Sequence, residues 1–144
     1  PLVVAGDGPE RAKLEKIAAQ EGGRWTSFLG EVSEEIAGDL LERCRAFVFC
    51  AEEDFGIAPI EANAHGAPVV GLARGALVET MVPGATAVFF DEPDVEKLQR
   101  AIRQAWERSW VERDIRENAR QYSADAFRRG FAAQVSRALS LTGG

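Results

Sequence analysis

The chain has 144 residues, close to the most common size of a single domain, and 46% of them are hydrophobic. This composition is typical of a globular protein and excludes extensive disorder. The formal net charge of −6 argues against a nucleic-acid-binding surface, which normally carries excess positive charge. No apolar run approaches the roughly 20 residues of a membrane-spanning helix. We therefore expect one soluble, cytoplasmic domain that binds no nucleic acid.

Two kinds of apolar pattern alternate along the chain. Helical periodicity predicts a helix after each of a series of short apolar runs, and those runs predict strands at residues 2–5, 25–29, 47–50, 69–72 and 87–90. Gly22 and Gly23 are predicted to end the first helix, and Ser33 to cap the second. Strands and helices that alternate in this way predict an α/β fold, a Rossmann-like open parallel sheet with helices on both faces. Ligands of such folds bind at the carboxyl ends of the strands.

The last third of the chain is predicted to be helical, with a break at Tyr122 and Ser123. We expect residues 1–109 to form the α/β domain and residues 110–144 to be helices that pack on it. The aromatic residues of this region stand at helical spacing, which indicates core or domain contact rather than a sugar-stacking surface. These residues are Trp106, Trp110, Phe127 and Phe131.

The stretch 47–70 carries the chemistry of the chain, since it reads as strand, acidic loop, helix and strand. The turn before Ile57 directs the helix N-terminus beyond the end of the strand, and helix N-termini attract anions such as phosphate. Glu53 in the loop and Glu61 in the helix flank this point. Carboxylates repel phosphate but accept hydrogen bonds from hydroxyl groups. An anion site between two carboxylates that accept hydrogen bonds from hydroxyl groups suits a nucleotide sugar. In such a ligand the ribose lies on one side of the diphosphate and the hexose on the other.

Simpler interpretations of these residues also follow from the sequence. Acidic residues before a helix often only cap it and favour its dipole, which suits the run from Glu52 to Asp54. Glu61 by itself would be an ordinary helix-surface residue. His65, at the end of the same helix, is predicted to satisfy free carbonyl groups there.

The two cysteines and a glycine-containing segment near the start of the chain bear on redox chemistry and on dinucleotide binding. Cys44 and Cys50 are predicted to be reduced thiols rather than a disulfide, as in a reducing compartment. The segment from Gly6 to Gly8 is similar to a dinucleotide-binding fingerprint, but Arg11 stands where the third Gly would be. NAD binding is therefore not predicted.

Several motifs, in order along the chain, resemble the group 1 family of retaining glycosyltransferases. The segment from Glu53 to Ile57, Glu61 and the segment from Gly66 to Val70 resemble the donor motif, including the seven residues between the two Glu residues. Ala76 departs from the family pattern, which often has a second Gly there. The resemblance covers residues 2–101, and its other landmarks are Gly6-Asp7-Gly8-Pro9, Phe28-Leu29-Gly30-Glu31-Val32, Arg74-Gly75 with Glu79, and Val88-Phe89-Phe90 before Pro93.

The resemblance implies a two-domain GT-B fold, of which this chain is similar to the C-terminal, donor-binding half. It implies transfer of a hexosyl group from a nucleotide diphosphate sugar with retention of configuration, without a cofactor or a metal. The implied partners are the nucleotide sugar and an N-terminal acceptor domain, through which any membrane contact would occur. The family's first strand and helix have no counterpart before Pro1, so we expect the isolated chain to be inactive.

The resemblance also assigns residues to the donor. Glu53 is implied as the catalytic residue at the hexose hydroxyls, and Glu61 as the ligand of the ribose hydroxyls. The remaining implied donor contacts come from backbone amides and from two loops. The amides are those of Phe55, Gly56 and Ile57, the base would lie against Leu29, Gly30 and Val32, and the neighbouring turn contains Gly6 and Gly8.

Two functions of other classes remain open on the sequence. The first is a non-catalytic α/β interaction module, in which the acidic loop is only a helix cap. The second is a receiver domain with a Mg²⁺ site in its acidic cluster. That domain needs a phospho-acceptor Asp at a strand end and a later Lys, and the chain does not present these in order.

Overall fold

The computed structural model describes residues 1–21 and 23–142. The strands are β1 (Leu2–Ala5), β2 (Thr26–Gly30), β3 (Phe47–Phe49), β4 (Val69–Leu72) and β5 (Ala87–Phe90). The helices are α1 (Arg11–Gln20), α2 (Glu34–Arg43), α3 (Ile57–Ala64), α4 (Leu77–Thr80), α5 (Val95–Glu107), α6 (Glu112–Arg120) and α7 (Ala124–Thr142). A 3₁₀ helix, Gly23–Trp25, precedes β2.

The chain divides into two compact units, Pro1–Leu40 and Leu41–Gly144. In the first unit β1 and β2 pair in parallel, with Leu2 opposite Thr26. Helix α2 begins as predicted, because the Ser33 hydroxyl accepts a hydrogen bond from the Ile36 amide at 3.3 Å. The helix runs to Arg43, past the division between the units.

The second unit contains a parallel sheet with the strand order β3-β4-β5. Successive residues of a strand point to opposite faces, and each face of this sheet meets helices. One face packs Val69 and Ala87 against α3 and α4, through residues that include Ala62 and Leu77. The other packs side chains of β4 and β5 against α5: Val70, Leu72, Val88 and Phe90 meet Ala101 and Ala105. The predicted Rossmann-like α/β fold, with helices on both faces of a parallel sheet, is confirmed.

The boundaries of several elements differ slightly from those predicted. Trp25 belongs to the 3₁₀ helix, so β2 runs one residue later than expected, and β3 ends before Cys50. The predicted break near Ser123 is confirmed, because the Ser123 hydroxyl accepts the Ala126 amide hydrogen at 3.2 Å at the start of α7. Gly22 and residues 143–144 lie outside the described residues. The boundary proposed at residue 109 stays a prediction.

Candidate functional site

The loop between β3 and α3 takes its shape from two glycines. Gly56, the N-cap residue of α3, is buried and left-handed at φ +63°, a conformation that a Cβ atom disfavours. Gly75 is left-handed at φ +56°, and a Cβ atom there would overlap the carbonyl oxygen of Glu53. The same carbonyl accepts a hydrogen bond from the Ala76 amide at 2.8 Å. The backbone of Glu53 is therefore held against the residues that begin α4.

Ala76 does not disturb this loop, although the family pattern often has Gly there. Its backbone is right-handed, at φ −59° and ψ −21°, so no glycine is needed. The left-handed position is supplied one residue earlier, by Gly75.

The side chain of Glu53 does not cap the helix that follows. The N-cap residue of α3 makes no side-chain hydrogen bond, and the first turn contains no acidic residue. Glu52 instead lies 3.6 Å from the guanidinium of Arg74. Glu53 is exposed, and its carboxylate has no hydrogen-bond or ion-pair partner in residues 1–21 and 23–142. Glu53 therefore makes no side-chain cap of α3, and its carboxylate is available to a ligand.

Glu61 lies on α3, four residues after Ile57 and thus on the same side of the helix. Both residues, with Phe55, line a cleft of about 890 Å³ within the second unit. The opposite wall comes from α6 and the start of α7, and includes Tyr122 and Phe127. Within the part of the chain that the structure describes, the Glu61 carboxylate also has no bonded partner.

The C-terminal end of α3 is closed in a different way from the one predicted. Gly66, left-handed at φ +84°, donates to the Asn63 carbonyl, and Ala67 donates to the Ala62 carbonyl, which is the Schellman arrangement. The Ala64 carbonyl accepts from the Arg116 guanidinium at 2.7 Å. The prediction that the His65 side chain satisfies these carbonyls is therefore wrong. Its Nδ1 atom lies 3.4 Å from a carboxylate oxygen of Glu42.

The predicted site residues of the first unit surround the β1 and β2 strand ends. Gly6 and Gly30 are both left-handed, and the Gly6 amide donates to the Gly30 carbonyl at 2.7 Å. Leu29 is exposed and Val32 is half-buried. A Cβ atom on Gly30 would meet only the end of the Arg11 side chain, which can move, so glycine is favoured at this position by its φ of +72°.

The turn containing Gly8 is occupied by its own neighbours. The Gly8 amide donates to the Asp7 carboxylate at 2.7 Å, and Arg11 pairs with the same carboxylate at 2.9 Å. The Gly8 amide and then the Arg11 guanidinium lower the pKa of Asp7, so this group stays ionised. An ionised carboxylate on that amide disfavours a phosphate at the same amide.

The two cysteines are free thiols. Burial raises the pKa of both Cys44 and Cys50. A raised pKa lowers the fraction of thiolate, which is the reactive form of a cysteine.

Comparison with known proteins identifies the family that has this fold and these motifs. The sequence profile described as "Glycosyl transferases group 1" matches residues 1–122. The chain belongs to the group 1 glycosyltransferase family. This confirms the resemblance found in the sequence motifs.

Curated relatives of this glycosyltransferase chain include two mannosyltransferases. The GDP-mannose-dependent alpha-(1-6)-phosphatidylinositol dimannoside mannosyltransferase of Mycobacterium tuberculosis is 35% identical over 104 residues, covering 71% of this chain and 26% of the relative. The alpha-1,3/1,6-mannosyltransferase ALG2 of Homo sapiens is 31% identical over 111 residues, with coverage of 70% and 26%. The chain thus spans about a quarter of the length of these relatives.

Solved structures support the same fold. Sucrose-phosphate synthase from Thermosynechococcus elongatus matches with a TM-score of 0.78 at 23% identity, over 98% of this chain and 39% of that one. AviGT4, a glycosyltransferase involved in avilamycin A biosynthesis, matches with a TM-score of 0.70 at 24% identity, over 96% and 43%. The chain has the α/β fold of these proteins.

A buried polar cluster that was not predicted from the sequence joins α3, α4 and α6 of this glycosyltransferase chain. Asn63 of α3 is 0% exposed and Asn118 of α6 is 6% exposed. The Asn118 amide group donates to the Asn63 side-chain oxygen at 3.0 Å and to the Thr80 carbonyl at 2.8 Å. The signal was available, since each Asn sits beside core positions such as Ala62 and Ala119. A polar residue on a core-facing position predicts a buried hydrogen bond.

The described residues of the glycosyltransferase chain contain neither a cluster of metal-ligating side chains nor a helix suited to span a membrane. Among residues 1–21 and 23–142, no three His, Cys, Asp or Glu side chains gather as metal ligands would. None of the helices in that part of the chain combines the length and the apolar character needed to cross a bilayer.

Proposed function

We propose that this chain binds the nucleotide diphosphate sugar of a group 1 glycosyltransferase, and that the whole enzyme transfers the hexosyl group with retention of anomeric configuration. The main support is the arrangement around the start of α3. Gly56 leaves this helix end without a side-chain cap. Glu53 precedes it and Glu61 follows it, and neither carboxylate is bonded to another described residue. Such a helix end suits a diphosphate, and the carboxylates suit hydroxyl groups.

Each proposed role follows from the chemistry of the group. Glu61 accepts hydrogen bonds from the ribose hydroxyls, and Glu53 accepts them from the hexose hydroxyls. Bonds from hydroxyl groups to an ionised carboxylate are roughly twice as strong as neutral ones, so the two residues orient the donor. As the diphosphate departs, the positive end of the α3 dipole stabilises its developing charge. The negative charge of Glu53 stabilises the positive charge that develops on the hexose.

Acceptor binding would then belong to another part of the polypeptide. Curated relatives are about four times as long as the aligned segment, which covers 26% of each. We propose that an acceptor domain lies in that additional length. The base contacts predicted for Leu29, Gly30 and Val32 stay predictions.

We also propose that transfer requires no cofactor and no divalent metal, as the family resemblance implies. Activity of the natural polypeptide should then be unchanged in excess EDTA. A loss of activity in EDTA that added Mg²⁺ or Mn²⁺ restores would contradict this part of the proposal.

Titration calorimetry on the natural polypeptide that carries this sequence tests the proposal. With GDP-mannose and UDP-glucose as probes, at least one should bind, and Glu61→Ala should weaken that binding by about 1–3 kcal/mol. Glu52→Ala is the matched control, because it removes the same charge from a residue that pairs with Arg74. It should change the affinity by no more than about twofold, a free-energy difference of about 0.4 kcal/mol.

Two results would contradict the proposal. The first is equal weakening by Glu61→Ala and Glu52→Ala, which would indicate a general charge effect. The second is an absence of binding to a panel of nucleotide sugars. That result would favour the non-catalytic interaction module.

A further inference from the structure

The two proposed donor carboxylates are held by different elements, α3 for Glu61 and the start of α4 for Glu53. Glu61 belongs to α3. Glu53 lies in the preceding loop, and its backbone carbonyl is held by the amide of Ala76, the N-cap residue of α4. The distance between the two carboxylates therefore depends on how α3 and α4 are placed relative to each other.

One side chain, that of Asn118, is hydrogen-bonded to both α3 and α4. The Asn118 amide group has two N–H donors, one bound to Asn63 of α3 and the other to the carbonyl of Thr80, the last residue of α4. Asn63 in turn donates to the Ala67 carbonyl at 2.9 Å. Both asparagines are buried, and no buried side-chain nitrogen or oxygen atom among the described residues lacks a partner. A fully bonded buried cluster of this kind fixes the positions of the elements that it joins.

The bonds continue from Asn118 to the backbone of Glu53 and to the helix that carries Glu61. On one branch, Asn63 lies two residues after Glu61 in the same helix. On the other, the Thr80 hydroxyl donates to the Ala76 carbonyl at 2.8 Å, and the Ala76 amide donates to the Glu53 carbonyl at 2.8 Å. We propose that Asn118 is a positioning residue that sets the separation of Glu53 and Glu61, and thereby allows one donor to engage both carboxylates at once.

This role rests on the proposed function and makes a prediction that simple stabilisation does not. A nucleoside diphosphate has a ribose but no hexose, so it needs Glu61 alone. An intact nucleotide sugar needs both carboxylates at the correct separation. A variant with a wrong separation therefore loses affinity for the nucleotide sugar selectively, whereas partial unfolding weakens both ligands by the same factor.

The experiment measures, by calorimetry on the natural polypeptide, the dissociation constants of GDP-mannose with GDP and of UDP-glucose with UDP. In Asn118→Ala, the nucleotide sugar should bind about tenfold more weakly, the loss expected for one charge-assisted hydrogen bond. The nucleoside diphosphate should change by about twofold or less. Ile115→Val is the matched control, because Ile115 is a fully buried residue of the same helix whose side chain forms no part of the hydrogen-bonded cluster. It should leave the ratio of the two constants unchanged.

Thr80→Val keeps the test decisive if Asn118→Ala does not fold. It removes only the hydroxyl bond to Ala76 and should raise the same ratio, to a smaller extent. A ratio that matches wild type in a folded Asn118 or Thr80 variant would overturn the positioning role while leaving the proposed function intact. A wild-type protein that binds neither member of any pair would overturn both.

Discussion

Helices α6 and α7 follow each other directly, yet they relate to the second unit in opposite ways. α6 is strongly polar, with six charged residues among its nine, but it buries Ile115, Asn118 and Ala119 and packs along α3. α7 is longer and less polar, but none of its described side chains is buried. Phe127 is 70% exposed and Phe131 is 62% exposed. The more polar helix is the one that is built into the core.

The difference between α6 and α7 lies in the contacts available to each. α6 buries two apolar side chains, Ile115 and Ala119, and one asparagine, for which Asn63 and the end of α4 offer matching hydrogen-bond acceptors. α7 presents two stacked rings, Phe127 and Phe131, with centroids 5.9 Å apart. Both rings are mostly exposed, so little of the described part of the chain packs against them. Burial thus follows from complementary partners and not from apolar content.

The largest expected effect that tests this contrast comes from Ile115. The Ile115→Ala variant should lower the free energy of unfolding by about 2–5 kcal/mol, because it removes a fully buried side chain and leaves a cavity. Urea denaturation followed by circular dichroism measures the change. A loss below about 1 kcal/mol would mean that α6 is not part of the core and would remove the contrast with α7.

A smaller effect is expected from the polar contact of α6. The Asn118→Ala variant should lower the free energy of unfolding by about 1–3 kcal/mol, because it leaves the Asn63 oxygen and the Thr80 carbonyl with fewer donors in a buried place. Arg120→Ala is the control on the same helix. It removes an exposed ion pair with Glu117 and should cost less than about 1 kcal/mol. Equal losses in the two variants would show that the buried amide has no special role.

The same contrast explains which parts of the fold could be predicted from the sequence. The strand Val69–Leu72 and the strand Ala87–Phe90 were predicted at their observed limits, because a short run of buried apolar residues depends on local pattern alone. The break before α7 was also predicted, since Ser123 is a local cap. The exposure of Phe127 and Phe131 could not be predicted in the same way. Helical spacing shows that residues share a face and does not show what covers it.

The candidate site was predictable to a similar degree. The loop and helix that carry Glu53 and Glu61 were identified from the motif, and Gly56 from its position before the helix. The residues that hold this loop and helix in place were not identified. Gly75, Ala76 and Asn118 act through contacts between residues far apart in the chain. The His65 prediction failed for the same reason. Arg116, more than fifty residues along the chain, takes the carbonyl that His65 was expected to satisfy.

The smallest expected effect concerns α7, and it tests whether the exposed face of this helix packs against the additional domain that we propose. In the 144-residue chain, Phe131→Ser should change the free energy of unfolding by no more than about 0.5 kcal/mol, because the ring is mostly exposed. The sequence predicts a core or domain contact for Phe131, and the exposed ring shows that the core interpretation is wrong. The domain contact requires a larger loss in the natural polypeptide, since burial of an aromatic ring against another domain adds its apolar area. Ser140→Ala, on the same helix, should leave the free energy of unfolding unchanged in both the 144-residue chain and the natural polypeptide. Urea denaturation of both proteins with each substitution gives the four values. An equal, small loss in the two proteins would contradict the domain contact, and a loss above about 2 kcal/mol in the short chain would contradict the exposed position of α7.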